Sequence, residues 1–139
     1  MDSKTMQILR RDAEDICRSA IEASVPDAAI QRALAQLPPC QGRTVLVSIG
    51  KAGWQTAKAA YDALGSAIEQ GVVVTKYGHS QGPIGGLSIY EAGHPVPDEH
   101  SVRATEAALA AVSGLSARDR VLFLVSGGGS ALFELPLVP

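Results

Sequence analysis

The sequence predicts a Rossmann-like α/β fold, in which helices cover both faces of a mostly parallel sheet. Short apolar runs alternate along the chain with stretches of helical periodicity. Val45–Ile49, interrupted only by Ser48, and Val121–Val125 are apolar runs of strand length. Such runs are typical of strands that are buried on both faces of a parallel sheet. The 139 residues correspond in size to one domain.

Two helices are predicted before the first strand. Lys4–Ser24 has helical periodicity, and the helix should end at Val25-Pro26 because a residue before proline avoids the α region. Asp27 is placed to cap a short second helix that continues to Ala35, before Pro38-Pro39. The apolar positions of the first helix are Leu9, Ala13, Ile16, Ala20 and Ala23.

Strands and helices alternate from Thr44 onwards. The pattern predicts a helix over Gly53–Leu64 and strands over Val72–Thr75 and Leu87–Glu91. The ten residues Tyr77–Gly86 contain four glycines and no helical pattern. A parallel crossover normally needs about a dozen residues or more. Either this loop crosses without a helix, or the third strand is not parallel to the second.

One more helix and one more strand complete the pattern. Asp98–Val112 is predicted as a helix that Asp98 caps and that Gly114 ends. Val121–Val125 is the fourth strand. The helix residues predicted to face the core are Val102, Thr105, Leu109 and Val112.

Composition argues against several classes of protein. A formal net charge of −2 without a basic cluster gives no indication of binding to nucleic acid or to an anionic membrane. The apolar runs are far shorter than the ~20 residues of a membrane helix, and Met1–Asp15 carries charges throughout, unlike a signal peptide. Cys17 and Cys40 lack metal-ligand spacing, so we expect two free thiols and a cytoplasmic location.

The glycine-rich turn after the fourth strand is the sharpest candidate site. In an open parallel sheet, ligands bind beyond the carboxyl ends of the strands. There, the three glycines Gly127, Gly128 and Gly129 lie between Ser126 and Ser130. Glycines let the backbone approach a ligand, and the N–H groups of such a turn and of a following helix form a concave anion site. The turn is predicted to bind a carboxylate or a phosphate; the alternative is a flexible turn.

Lys51 lies in the turn that follows the first strand. The spacing Gly50-x-x-Gly53 is typical of a tight turn from strand to helix, with Lys51 at its apex. The ammonium could neutralise a phosphate or a carboxylate, or it could simply be solvated. The turn lacks the glycines of a G-x-G-x-x-G dinucleotide fingerprint, and the chain contains no Walker A motif.

A third candidate is the segment EAGHPVPDE, which carries His94 and Asp98 on a loop stiffened by two prolines. His94 is predicted near a substrate hydroxyl or phosphate, or else it only forms a hydrogen bond within the loop. Asp98 is more simply a helix cap. Three further polar residues follow the second strand, and the simplest interpretation is that they only line the edge of the sheet. They are Lys76, Tyr77 and His79. Neither a Ser/His/Asp triad nor a metal-ligand spacing is present.

Four motifs in this order, GKAG, VVVTKYGH, EAGHPVPDE and VLFLVSGGGSALFELP, resemble the N-terminal domain of class II glycerate kinases, the family whose C-terminal module is called MOFRL. The resemblance implies phosphorylation of the carboxylate substrate D-glycerate to 2-phosphoglycerate, with ATP and Mg²⁺ as cofactors. It implies a catalytic or phosphate-binding role for Lys51 and a substrate or phosphate cradle at Ser126–Ser130. The resemblance also implies that His94 binds the substrate.

Members of this family are much longer than the present chain. We therefore expect residues 1–139 to be the N-terminal part of an incomplete Rossmann-like domain, without the MOFRL domain. Phosphoryl transfer needs charge neutralisation from several directions, so we expect the fragment alone to be inactive. An exposed edge strand should favour a homodimer or other self-association.

Two other functions remain open from the sequence. One is an NAD(P)H-dependent oxidoreductase, because older naming in the family uses hydroxypyruvate reductase. The other is a non-catalytic module in which the glycine turn binds an anion.

Overall fold

Helices lie on both faces of a four-stranded parallel sheet in the computed structural model, which describes residues 2–137. The predicted fold class is therefore confirmed. The elements in chain order are α1 Ser3–Ser24, α2 Asp27–Leu34, β1 Thr44–Ile49, α3 Gly53–Leu64, β2 Ile68–Lys76, β3 Ser88–Ala92, α4 Glu99–Ala111, β4 Arg120–Val125 and α5 Gly129–Leu132, with a 3₁₀ turn at Gly65–Ala67.

The order of the strands is β3-β2-β1-β4, and all three pairings are parallel. The chain adds β2 and β3 on one side of β1 and then returns to place β4 on the other side. The direction of winding thus reverses between β1 and β4, and such a switch point is where open parallel sheets bind ligands. The turns that follow Ile49 and Val125 lie at this point.

The core consists of two apolar layers, one on each face of the sheet. Leu46 and Val73 pack on the side of α3, whereas Val47 and Val74 pack on the side of α4. All residues of β1 are buried, as expected for a central strand covered on both faces.

The connection between β2 and β3 crosses without a helix. Its residues Ile84 and Leu87 are buried in the α3-side core, and Trp54 Nε1 donates a hydrogen bond to Gly82 O at 2.8 Å. The loop thus takes over the packing that a crossover helix would supply. This settles the alternative that the sequence left open, because β3 is parallel to β2.

β4 is not buried on both faces, so that prediction is wrong for this strand. Within residues 2–137 it pairs with β1 alone, and the side chains of Val121, Phe123 and Val125 are 41%, 50% and 63% exposed. A continuous apolar run indicates a parallel strand but does not distinguish the centre of a sheet from its edge.

Two details of the helices also differ from the predictions. Asp27 does not cap α2; the N-cap is Pro26, and the Asp27 carboxylate instead accepts hydrogen bonds from Gln55 Nε2 at 2.8 Å. In α4, Leu109 is exposed rather than buried, because small residues bring the neighbouring stripe of the helix against the sheet. That buried stripe consists of Ser101, Ala104, Thr105 and Ala108.

α1 forms where the periodicity predicted it, but its apolar side chains find no core. None of its residues is buried, and Leu9, Ile16 and Ile21 are exposed. Among residues 2–137, no helix combines the length and apolar character needed to cross a membrane.

We predict that Gly53→Ala lowers the free energy of unfolding by about 1–3 kcal/mol, because it overpacks the contact between α3 and the sheet. A Cβ atom at Gly53 would lie 2.7 Å from the backbone oxygen of Val74. Gly86→Ala is the control, because a Cβ there meets nothing within 4 Å; its effect should stay within about 0.5 kcal/mol. Urea unfolding followed by circular dichroism measures both, and equal stabilities would contradict the prediction.

Candidate functional site

Two turns are joined beyond the carboxyl ends of β1 and β4. The Lys51 N–H donates to Gly127 O at 2.8 Å, and the Ser126 N–H donates to Ile49 O at 2.9 Å. Gly50 has φ +111° and lies directly against Ser126, where a Cβ atom would clash. Both its backbone conformation and this close approach require glycine. The two predicted turns therefore form one structural unit.

Ser126 holds this unit together with its side chain. Its Oγ donates to Ile49 O at 3.0 Å and accepts from the Ala52 N–H at 3.0 Å. A hydroxyl has a single hydrogen, so only one acceptor lone pair of Ser126 remains for a ligand. Ligand binding by Ser126 stays a prediction.

Lys51, His94 and the glycine turn converge at Gly128, which has φ +86° and precedes α5. A Cβ atom there would lie 2.8 Å from His94 Nε2 and 3.2 Å from Lys51 Cγ. The backbone thus passes between an imidazole ring and a lysine side chain with no room for a side chain of its own. Residues from three separate motifs share one site.

Lys51 supplies the positive charge. Its side chain is exposed and runs alongside Gly127, and no carboxylate in the part of the chain that the structure describes forms an ion pair with it. Thr75 Oγ1 and His79 Nδ1 donate to the Lys51 carbonyl at 3.3 and 3.0 Å and hold the turn in place. An anion beside Gly127 would meet an ammonium that no protein carboxylate neutralises.

Asp98 anchors the loop that carries His94. Its carboxylate accepts hydrogen bonds from Tyr77 Oη at 2.7 Å, from the His100 N–H at 3.0 Å and from the Ser101 N–H at 3.2 Å. These contacts, led by the Tyr77 hydrogen bond, lower the pKa of Asp98 from 3.8 to about 2. The same hydrogen bond raises the pKa of Tyr77. The N-cap prediction for Asp98 is confirmed, and Tyr77 proves to be its partner.

The other residues of the glycine turn occupy different surroundings. Gly129 is buried at the start of α5, where a Cβ atom would lie 3.2 Å from Ile49 Cδ1, whereas Ser130 is exposed. Contacts of either residue with a ligand stay predictions. Thr75 was not predicted to belong to the site, although the polar residue that ends the apolar run VVVT was an available signal. Across residues 2–137, no three His, Cys, Asp or Glu side chains are grouped so that they could hold a metal ion.

Comparison with known proteins gives consistent matches. The family described as "Domain of unknown function (DUF4147)" matches residues 12–139. A D-glycerate 2-kinase from Thermotoga maritima is 54% identical over 129 residues, which cover 93% of this chain and 30% of that protein. A putative hydroxypyruvate reductase from Agrobacterium vitis is 43% identical over 97% of this chain and 29% of that protein.

The fold is also found in a solved structure. The crystal structure of a glycerate kinase from Thermotoga maritima matches with a TM-score of 0.83 and 53% identity, over 94% of this chain and 31% of that one. The present chain thus spans about 30% of the length of these relatives.

We predict that the Asp98 anchor makes stability depend on acid pH. Because its pKa in the folded chain is about 2 rather than 3.8, the ionised carboxylate favours folding above about pH 4, and this contribution is lost as the pH falls towards 2. Asp98→Asn keeps a capping side chain but should be less stable at pH 7 and depend less on pH across that window. Asp15→Asn, on exposed α1, is the control. Denaturant unfolding at each pH tests this, and parallel profiles for Asp98→Asn and the parent chain would contradict it.

Proposed function

The chain belongs to the DUF4147 family and is a relative of the class II glycerate kinases, and we propose that its β1–β4 edge serves the phosphorylation of D-glycerate to 2-phosphoglycerate. The convergence of Lys51 and His94 on Gly128 is the observation that carries this proposal. ATP supplies the phosphoryl group when it is bound. Because residues 2–137 offer no cluster of metal ligands, no ligand set for Mg²⁺ is assigned to them.

In this proposal, Lys51 and the glycine turn receive negative charge. Phosphoryl transfer depends mainly on positioning and on electrostatic stabilisation of the phosphoryl oxygens. The Lys51 ammonium and the N–H groups of Gly127 and Gly128 hold a phosphate or the substrate carboxylate, with the exposed Ser130 hydroxyl at the rim. Because the two turns are fixed by main-chain hydrogen bonds, this arrangement exists before a ligand arrives.

His94 is proposed to take up a proton. A new bond from the glycerate C2 oxygen to phosphorus replaces the bond from phosphorus to ADP, and the attacking hydroxyl loses its hydrogen. The imidazole of His94, whose Nε2 lies against Gly128, can accept this hydrogen. Tyr77 and Asp98 hold the loop that positions the ring.

We also propose the wider setting of this site. Residues 1–139 form part of a first Rossmann-like domain, and further catalytic groups come from the family's second domain, MOFRL. Cys17 and Cys40 are both free thiols, which supports a cytoplasmic location.

A hydroxypyruvate reductase is the second candidate, favoured by the name of the Agrobacterium vitis relative. The main-chain cradle could bind the pyrophosphate of a dinucleotide, although Gly50–Gly53 lacks the dinucleotide fingerprint. Fluorescence titration separates the candidates: NADH binding that is tighter than ATP binding would favour the reductase. A non-catalytic anion-binding module would bind both ATP and NADH through their phosphates, and the longer protein would show no turnover with either.

We predict that Lys51→Met weakens the binding of D-glycerate and inorganic tripolyphosphate about 10- to 100-fold, the usual range for loss of a charge-assisted contact. Lys58→Met is the matched control, because Lys58 pairs with Asp62 on α3 instead of facing the turns. Calorimetric titration of the full chain gives both affinities. Equal losses in the two variants, or none in Lys51→Met, would refute the assignment of Lys51.

We further propose that a second copy of the chain covers β4. Its outer edge has no strand partner among residues 2–137, and Leu109 and Phe133 border an apolar groove of about 270 Å³ beside it. Unpaired edges with exposed apolar side chains readily pair with another chain.

Phe123→Lys is predicted to convert this dimer into a monomer, because it places a charge in the apolar contact. The side chain is half-exposed, so the fold should tolerate the change. Leu9→Lys, on exposed α1, is expected to leave the dimer intact. Light scattering measures the molar mass, and a monomeric parent chain would rule out the dimer.

A further inference from the structure

We propose that the cleft between α1 and the first turn of α3 binds the base of a nucleotide; this inference rests on the proposed kinase function. The cleft has a volume of about 510 Å³. Ligand pockets generally measure about 300–1,000 Å³. D-glycerate, a small three-carbon acid, would fill only a minor part of this space. The cleft therefore suits the larger of the two substrates.

The walls of the cleft suit a flat, largely apolar ring. Ile21 lies near the C-terminal end of α1, Val25 directly follows this helix, and the buried Trp54 comes from α3. The Trp54 indole is fixed by its hydrogen bond to Gly82 O at 2.8 Å. Every nucleobase has a flat π-face that can stack favourably on an aromatic side chain. A planar heteroaromatic ring thus finds a rigid aromatic neighbour here.

Two polar side chains of the cleft are oriented as hydrogen-bond acceptors. His79 Nδ1 donates to Lys51 O at 3.0 Å, so Nε2 of the neutral ring is left to accept. Gln55 Nε2 is bound to the Asp27 carboxylate at 2.8 Å, which leaves Gln55 Oε1 as its free acceptor. Acceptors on an apolar wall match a ring that carries an exocyclic amine, as adenine does.

Lys51 connects this cleft with the glycine turn. It lines the cleft, and its side chain also lies beside Gly127 and Gly128. A ligand whose ring occupies the cleft would extend past the ammonium towards the main-chain cradle. A ring at one end and negative charge at the other describe a nucleotide.

Fluorescence of the single tryptophan tests the cleft directly. Trp54 is the only tryptophan of the chain, so its emission reports on this wall alone. The full chain is titrated with ATP, adenosine and D-glycerate. We expect ATP and adenosine to quench or shift the emission and D-glycerate to leave it unchanged. No response to adenosine would overturn the inference.

A bulky substitution in the α1 wall gives the second test. Ala20 lines the cleft but is exposed, so Ala20→Phe should fold normally and fill part of the space. ATP and adenosine should then bind about tenfold more weakly or worse, while tripolyphosphate binding, measured by calorimetry, stays unchanged. Ala13→Phe, on the same helix outside the cleft, should match the parent chain.

The outcomes separate this site from the anion site. Adenosine binding that is equal in Ala20→Phe and in the parent would refute the cleft, even if tripolyphosphate still binds. A parent chain that binds adenosine beside Trp54 but not tripolyphosphate would support the cleft and count against the proposed role of Lys51 and the glycine turn.

Discussion

The parallel register between β1 and β4 is the constraint on which the site depends. Ile49 pairs with Val125 at the carboxyl ends of the two strands, so the two following turns leave the sheet at the same level. The Lys51 N–H can therefore reach Gly127 O, and Ser126 can hydrogen-bond to Ile49. A shift of this register by one residue would reverse which face of the sheet each β4 side chain occupies, and it would separate the turns.

Glycine appears in the site where the main chain closely approaches a neighbouring segment or side chain. Gly50 lies against Ser126, Gly53 against the Val74 backbone, and Gly128 between His94 and Lys51. Main-chain atoms occupy the space that a Cβ atom would need at Gly50 and Gly53, and side-chain atoms occupy it at Gly128. The same glycines thus allow the turns to pack tightly and to present their main-chain N–H groups.

Local properties of the structure could be predicted from the sequence, whereas long-range ones could not. The periodicity that defines Gly53–Leu64 depends on neighbouring residues only, and the structure has this helix with the same bounds. The rule that ligands bind beyond the carboxyl ends of parallel strands also directed attention to the turn of Ser126, which the structure joins to that of Lys51. The exposure of Phe123 depends on where β4 lies in the sheet, and the bond from Tyr77 to Asp98 depends on two loops meeting. Neither the position of β4 in the sheet nor the meeting of these two loops produces a periodic pattern in the sequence.

The two parts of the proposed nucleotide site differ in how firmly the fold holds them. The anion cradle is built from turns that follow adjacent strands of the sheet, and their hydrogen bonds leave little to rearrange when a phosphate binds. One wall of the cleft is also firmly held, because Trp54 belongs to the buried core. The other wall is α1, none of whose residues is buried. A base bound there must offset the entropy lost when exposed side chains of α1 become ordered, which reduces the affinity gained from the ring. Affinity for the phosphates should therefore come from a preformed site, and affinity for the base from one that is completed on binding.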